Sequence, residues 1–463
     1  MSVIREESPG ISAWSSRQSE SHGEVDPAVA ESAIRRISWR LMPVIGVLYF
    51  VAYLDRNNVG FAATDLSRDI GLTASSFGLG AGLFFIGYVL MEVPSNAGMY
   101  KWGARRWLSR ILISWGVFAA ALSATNSTWS FYLIRFLLGA AEAGFFPAIL
   151  YYFTLWFPER YRLRILGLFV LAQPLTNAIG APLSGSILNM NGILGLHGWQ
   201  WLFIIEGLPA IILGLFVPIL LTDRPASARW LPESERDWLL YTLDKEARTK
   251  QVSARGEGTF LSGLKDRRFL VYAGLNCGMV FGIYGLGLWL PTIVGAMFGL
   301  RGMGASSVIS IPYVVAAMAV YPWSWRAAHT GRVAWHASVS LVTGALGLLG
   351  AGLLLRISPV LSMMFLCAAA VGIYSAIAPF LSMPSNVLTG AAAAAGLAVT
   401  NSLGNLGGFL SPYIVGLLKD WTGNDRAGLL VLAACLAITG CTVYCYARNR
   451  PEGNLVRPAG RSI

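Results

Sequence analysis

Charge is scarce in this sequence. Only 13% of its 463 residues are Asp, Glu, Lys or Arg and 55% are hydrophobic, against roughly 25% charged in ordinary soluble chains. That balance excludes an ordinary water-soluble enzyme. Cysteine and histidine are also few, with five and four residues. Cys277, Cys367, Cys435, Cys441 and Cys445 all fall in apolar segments. Cys441 and Cys445 share a helix face, a pattern of packing residues more than of a metal site. His197, His329 and His336 lie in or beside loops and His22 lies in the N-terminal tail, without metal-ligand spacing. No Gly-rich phosphate loop ending in Lys-Ser/Thr, no His/Glu metal motif and no paired-Cys motif occurs. A membrane-embedded enzyme and an ATP-driven pump in one chain therefore lack their chemistry, and no metal or cofactor is expected. A sensor would bring a soluble signalling domain, and the longest polar stretch, residues 223–268, is marginal for one. No signal peptide is expected, because residues 1–40 are polar and offer neither a short apolar region nor a small-residue cleavage site.

What fills the chain instead is apolar sequence in twelve segments: 41–62, 75–95, 107–124, 129–153, 165–188, 201–221, 269–293, 304–325, 334–354, 359–383, 391–418 and 427–447. They divide six and six. The expected fold is an all-α membrane protein of twelve transmembrane helices in two six-helix bundles. Its parts are an N-terminal tail (1–40), a first bundle (41–222), a linker (223–268), a second bundle (269–447) and a C-terminal tail (448–463). The linker contains "LPESERDWLLYTLDKEARTK", which reads as a short amphipathic helix on the membrane surface.

The net charge of +11 could suggest a nucleic-acid partner, so the placement of the basic residues decides. They gather in 1–40, 97–110, 155–164, 222–268, 325–333 and after 446. The alternate connections hold only Arg68, Arg301, Arg356, Lys419 and Arg426. The excess is topological: it puts both termini and every second loop in the cytoplasm, with membrane lipid as partner and no nucleic acid. The turns "YKWGARRW" and "AHTGRVAW" occur after the second segment of each half. Such an echo suits repeated halves with a site between them.

Four strongly polar residues interrupt the first segment in "YLDRNNVGF", residues 53–61. The apolar run before them is 14 residues, which as helix rises about 21 Å against a hydrocarbon core of about 30 Å. To span, the helix must carry Asp55 and Arg56 inside, at an insertion cost of roughly 2.5–3.5 kcal/mol each. In the fourth segment Arg135 and Glu142 are seven residues apart, two turns on one face. Asp55, Arg56, Arg135 and Glu142 sum to zero charge when ionised. In a dry cavity each carboxylate must pair with an arginine or take up a proton. A proton that neutralises Asp55 or Glu142 would free an arginine for an anionic solute, which couples the two. The alternative is that the arginines permanently brace the bundle.

Gln173 with Asn177, and Asn401 with Asn405, lie one turn apart. Their amides can bond a solute hydroxyl or a neighbouring helix. Tyr53 and Tyr88 each offer a phenol on an apolar body, suited to substrate contact or to packing. Glu92 and Glu206 stand nearer the ends of their segments and read as acids reaching interfacial water or capping a loop.

"YLDRNNVGFA", "EVPSN", "GARRW", "RFLLGAAEAGFFP", "GWQWLFIIEG", "DRP" and "NSLGNLGGFLSPYIVG", in this order, resemble the major facilitator superfamily. Within it they are similar to the anion:cation symporter family, the bacterial tartrate, phthalate and hydroxyphenylacetate permeases. The resemblance covers residues 35–447. It implies Arg56 as the main carboxylate ligand with Arg135 beside it, Asp55 and Glu142 as proton carriers, and Gln173 and Asn401 as substrate-lining residues. It also implies alternating access, a monomer, and a multi-pass place in a bacterial inner membrane. "GAPLSG" at 180–185 resembles a Gly/Pro motif of antiporter-like relatives and reads physically as close helix packing.

Three positions depart from the pattern. Tyr100 and Ala328 stand where the loop acids linked to gating are usual, and Leu381 where relatives often carry Trp. The expected function is proton-coupled symport of a small organic anion, such as tartrate or a related sugar acid. The alternatives are uptake of an aromatic carboxylate, or efflux or uniport of another solute.

Overall fold

A long apolar run in a membrane forms helix because only a helix satisfies every backbone N–H and C=O within its own segment. The computed structural model describes residues 27–254, 267–300, 302–383 and 390–448. His22, Arg301, most of the expected tails and residues 255–266 of the linker lie outside the described residues. Among the described residues there are fourteen α-helices and no strand. The first half holds α1 (Pro27–Ile70), α2 (Ala74–Trp102), α3 (Ala104–Ala121), α4 (Thr128–Glu142), α5 (Phe145–Trp156), α6 (Glu159–Leu188) and α7 (Gly198–Leu220). Then comes the linker helix α8 (Glu233–Ala254). The second half holds α9 (Arg267–Phe298), α10 (Gly302–Thr330), α11 (Val333–Leu354), α12 (Pro359–Ser382), α13 (Gly390–Thr422) and α14 (Arg426–Arg448).

Ten helical segments are long and apolar enough to cross a membrane, α4 and α5 together forming one of them. The 30-residue α6 and the 33-residue α13 pack among them, α6 on α1 and α10, α13 on α2 and α9. That completes two sets of six. The outer faces are greasy: Leu208, Ile212, Leu215, Phe216 and Ile219 of α7 recur at helical spacing and are all exposed. Such a stripe is a lipid-facing surface.

Two local differences from the apolar pattern matter. Helix α1 is already helical at Pro27, so part of the expected tail is ordered against the linker. Ser32 Oγ and Arg36 Nε donate to the two carboxylate oxygens of Glu235 on α8, at 2.7 and 3.1 Å. The fourth span is also broken. Helix α4 stops at Glu142, Gly144 takes φ +86°, and α5 begins at Phe145. A side chain at Gly144 would be strained there and would strike Ser95. The break is held by Ser95 Oγ, which donates to the freed Ala143 carbonyl at 2.6 Å. Irregular backbone at membrane depth survives only where protein supplies such partners.

The halves meet chiefly along two pairs, α2 with α13 and α6 with α10. Gly78 and Gly82, one turn apart on α2, face the Pro412 and Phe409 carbonyls of α13, and a Cβ at either would collide. Small residues at that spacing let helix backbones touch. At the same end Asp420 accepts from the Ala74 and Ser75 backbone N–H groups at 3.0 and 2.8 Å. A carboxylate of one half thus caps the first turn of a helix in the other.

Candidate substrate cavity

A cavity of about 120 Å³ lies between the halves. The first half lines it with Tyr53, Arg56, Tyr88 and Gln173, and the second with Asn276, Tyr284, Leu381, Asn401 and Asn405. Phe84, Phe85, Phe145 and Phe146 add aromatic wall. The long α1 carries Arg56 well inside the helix, past the apolar run that ends at Leu54.

Arg56 is the hub of this cavity. Its Nη2 pairs with Glu142 Oε1, and its Nη1 donates to the Tyr284 hydroxyl of α9 at 2.8 Å. The guanidinium also faces the rings of Tyr53, Phe84 and Tyr88 at 5.4, 5.3 and 5.6 Å, a cation–π cage. Glu142 is fully buried at the C-terminal end of α4, where the chain breaks. Arg56 Nε and Glu142 Oε2 have no hydrogen-bond partner among the described residues. The arginine therefore reaches one protonatable carboxylate, one phenol of the opposite half, and the cavity.

Asp55 and Arg135 sit behind this hub and do not line the cavity. Asp55 is buried and accepts from Trp115 Nε1 at 2.6 Å and from Asn58 Nδ2 at 2.9 Å. Arg135, also buried, donates from Nη2 to the Ala81 carbonyl at 3.0 Å and lies 5.0 Å over the ring of Phe84. Phe84 is thus flanked by both guanidinium groups. Arg135 keeps Nε and Nη1 without partners among the described residues. Gln173 lines the cavity and is buried, as is Tyr88.

The reading of Glu92 and Glu206 as helix-end acids needs correction. Helix α2 runs on to Trp102 and α7 already starts at Gly198, so both acids fall inside helices, and they are 4% and 2% exposed. Glu206 accepts from Ser184 Oγ at 2.7 Å within the first half, with Asn58 beside it. Glu92 accepts from Asn401 Nδ2 at 2.5 Å and Ser402 Oγ at 2.9 Å, across the α2–α13 seam.

Sequence reasoning did not single out Tyr284, Asn276 or Tyr374. Tyr284 fixes Arg56 from the other half. Asn276 Nδ2 donates to the Thr400 carbonyl at 3.0 Å, beside Asn401. Asn57 donates to Asn177 at 2.7 Å, which donates to the Tyr374 hydroxyl at 2.9 Å, so Asn177 joins a chain from α1 through α6 to α12. The available signal was glycine: "GIYGLG" at 282–287 places Tyr284 in a thin stretch of helix where neighbours come close. Among the described residues no cluster of three His, Cys, Asp or Glu side chains could hold a metal.

Comparison with known proteins agrees with this architecture. Residues 45–412 match the family model described as Major Facilitator Superfamily. An Agrobacterium vitis protein named for tartrate transport is 41% identical over 442 residues, which is 95% of this chain and 96% of that one. A protein of Acinetobacter baumannii named as a quinolone resistance transporter is 43% identical over 408 residues, 87% and 92% of the two chains. Among solved structures, a partially occluded inward open form of the xylose transporter XylE from E. coli superposes with a TM-score of 0.70 at 11% identity. It covers 88% of this chain and 99% of its own, a likeness of fold. The two six-helix halves, the cavity between them and the matched family model lead to one conclusion: the chain is a membrane transporter that belongs to the major facilitator superfamily.

Proposed function

We propose that the protein is a proton-coupled symporter that carries a small organic anion by alternating access, as a monomer in a bacterial inner membrane. The observation that carries this reading is the pairing of cavity-lining Arg56 with Glu142, which is buried behind the wall, with the second arm of the same guanidinium on Tyr284 of the opposite half. A planar fork that stays charged at any accessible pH can hold a carboxylate with two parallel hydrogen bonds. Glu142 occupies one prong. A proton on Glu142 removes its claim on Nη2, and a solute carboxylate takes the place. Without the proton the solute must displace a buried carboxylate and leave it charged and unpaired, which is costly. Proton and anion therefore bind well together and poorly apart.

Asp55 and Arg135 take supporting roles in this reading, Asp55 as a second proton carrier and Arg135 as the buried cation that keeps the group near neutrality. Tyr53, Tyr88, Gln173 and Asn401 complete the solute's surroundings. The residues fall into a first bundle at 41–222 and a second at 269–447, with the linker at 223–268 on the cytoplasmic face.

A cavity of about 120 Å³ is small beside the roughly 300–1,000 Å³ of pockets for drug-sized ligands. That size and the relatives named for tartrate transport favour a compact acid of the tartrate type. The aromatic walls support a second reading, an aromatic carboxylate, with export of another solute as the further alternative.

Thermal stabilisation of the purified protein by a panel of carboxylates tests the reading. A ligand raises the melting temperature by mass action, and the proposal predicts a larger rise at about pH 5.5 than at about pH 7.5, because protonation of Glu142 and anion binding reinforce one another. Stabilisation by an acid that is equal at both pH values would contradict proton coupling, and stabilisation by none of them would contradict the choice of solute.

A further inference from the structure

Glu92 is a buried carboxylate that the mechanism above does not use. It belongs to the first half, on α2, one turn beyond Tyr88, yet its two oxygens accept from Asn401 and Ser402 on α13 of the second half. It forms no ion pair among the described residues; its two hydrogen bonds come from these neutral donors, and the Tyr88 phenol lies near enough to feel its charge. Val93 and Leu90 beside it point outward and are 69% and 60% exposed, so α2 has turned its single acid of this turn inward onto the seam. The usual role of a buried acid, pairing with a cation, is absent here.

The chemistry of the contact fixes the orientation of Asn401. Asn401 Nδ2 and Ser402 Oγ donate to the two Glu92 oxygens, so the amide spends its nitrogen on Glu92 and Oδ1 is the atom left over. Asn401 lines the cavity. Its backbone is held from the other side, where Asn276 grips the Thr400 carbonyl at 3.0 Å and packs on Gly404. The amide is thus clamped with its nitrogen on Glu92.

We propose that Glu92 is a positioning residue that turns the carbonyl oxygen of Asn401 to the cavity, and so makes that wall an acceptor for a hydroxyl of the solute. This rests on the reading of the cavity as an organic-anion site and names the class within it: a hydroxy acid, its carboxylate at Arg56 and its hydroxyl at Asn401. Had the amide been free to rotate, it could turn its nitrogen to the cavity and serve a second carboxylate equally well. Because Glu92 and Asn401 belong to opposite halves, the acceptor is presented only while the halves are closed at this point of the seam. Hydroxyl recognition and closure are then one event.

The test compares two four-carbon diacids, L-tartrate and succinate, which differ in their hydroxyl groups, by calorimetric binding to the full chain in detergent. The wild-type protein is expected to prefer tartrate by about tenfold, which corresponds to about 1.4 kcal/mol. Glu92→Ala is expected to bring the ratio close to one while succinate affinity changes by less than about threefold. Glu92→Gln keeps an oxygen to accept Nδ2 and is expected to retain most of the preference. Asn401→Ala, which does not depend on the fold tolerating a change at Glu92, is expected to lose it. A loss of helix packing alone would lower both affinities together and leave their ratio unchanged, which would overturn the proposal. A tenfold preference that persists in Asn401→Ala would also overturn it. Wild-type protein that binds both acids equally overturns the hydroxyl reading and leaves the organic-anion function standing, whereas wild-type protein that binds neither removes both.

Discussion

The two halves of the molecule differ in what they bury. In the first half Asp55, Glu92, Arg135, Glu142 and Glu206 are all nearly inaccessible, and Arg56 is mostly covered. In the second half the buried polar side chains among the described residues are amides and hydroxyls, such as Asn276, Ser375, Thr400 and Ser411, together with His336. Carboxylate and guanidinium groups inside a membrane are expensive, so their collection in one half separates two tasks. The first half holds the ionisable groups, the ones to which the proposed mechanism gives the exchange of protons and charge. The second half presents neutral partners to those groups, as Tyr284 meets Arg56 and Asn401 meets Glu92, and among its described residues it buries no Asp, Glu, Lys or Arg.

This division can be broken most forcefully at Arg56. Arg56→Lys keeps the charge but removes the fork, so Glu142, Tyr284 and a solute carboxylate can no longer be served together. Two charge-assisted hydrogen bonds at roughly 1.5–3 kcal/mol each are at stake, and we expect solute affinity to fall at least about a hundredfold, with expression unchanged. Undiminished uptake by this variant in proteoliposomes would remove Arg56 from its assigned role.

A smaller effect is expected in the other half. Tyr284→Phe removes one acceptor from Arg56 Nη1 and leaves the ring, costing about 1–1.5 kcal/mol, or about five- to tenfold in affinity read by the same uptake assay. If this change proved as severe as Arg56→Lys, the second half would be a principal in the chemistry and the contrast between the halves would fail.

The sequence made some of this legible and hid the rest for physical reasons. The helices announce themselves because apolar runs of that length have few other uses, and Asp55 and Arg56 stand out because the run before them is too short to span. The break at Gly144 is hidden in "GAAEAG", where a glycine among alanines reads as close packing. What exposes it is Ser95 from another helix, which supplies the hydrogen bond that makes a break tolerable. Glu92 and Glu206 were misplaced because the apolar segments end before the helices do. Helix α2 continues past Glu92 through polar residues to Trp102, and burial follows from the neighbour it faces, not from distance to a charged loop. Which carboxylate meets Arg56 was not legible at all. Glu142 shares a helix face with Arg135 in the sequence, yet its partner is 86 residues away, and Tyr284 is 228 residues away.

The positions where acids would be expected in the loops show a related lesson. Tyr100 and Ala328 carry no charge, but carboxylates clasp helices elsewhere: Asp420 of the second half caps the first turn of α2, and beside the first half Asp223 accepts from the Arg105 backbone at 2.9 Å and pairs with its side chain at 3.4 Å. The clasp at Arg105 joins two of the quoted strings, "GARRW" and "DRP", whereas Asp420 lies outside all of them.

The central claim is that a proton and an organic anion replace Glu142's hold on Arg56 together. It is tested most directly by the proton taken up when the anion binds. Purified protein in weakly buffered detergent at about pH 7.5, given a saturating carboxylate ligand, should remove about one proton from solution per anion bound, and Glu142→Gln should bind the ligand with that uptake abolished. Binding by the wild-type protein with no change in solution pH would contradict the account.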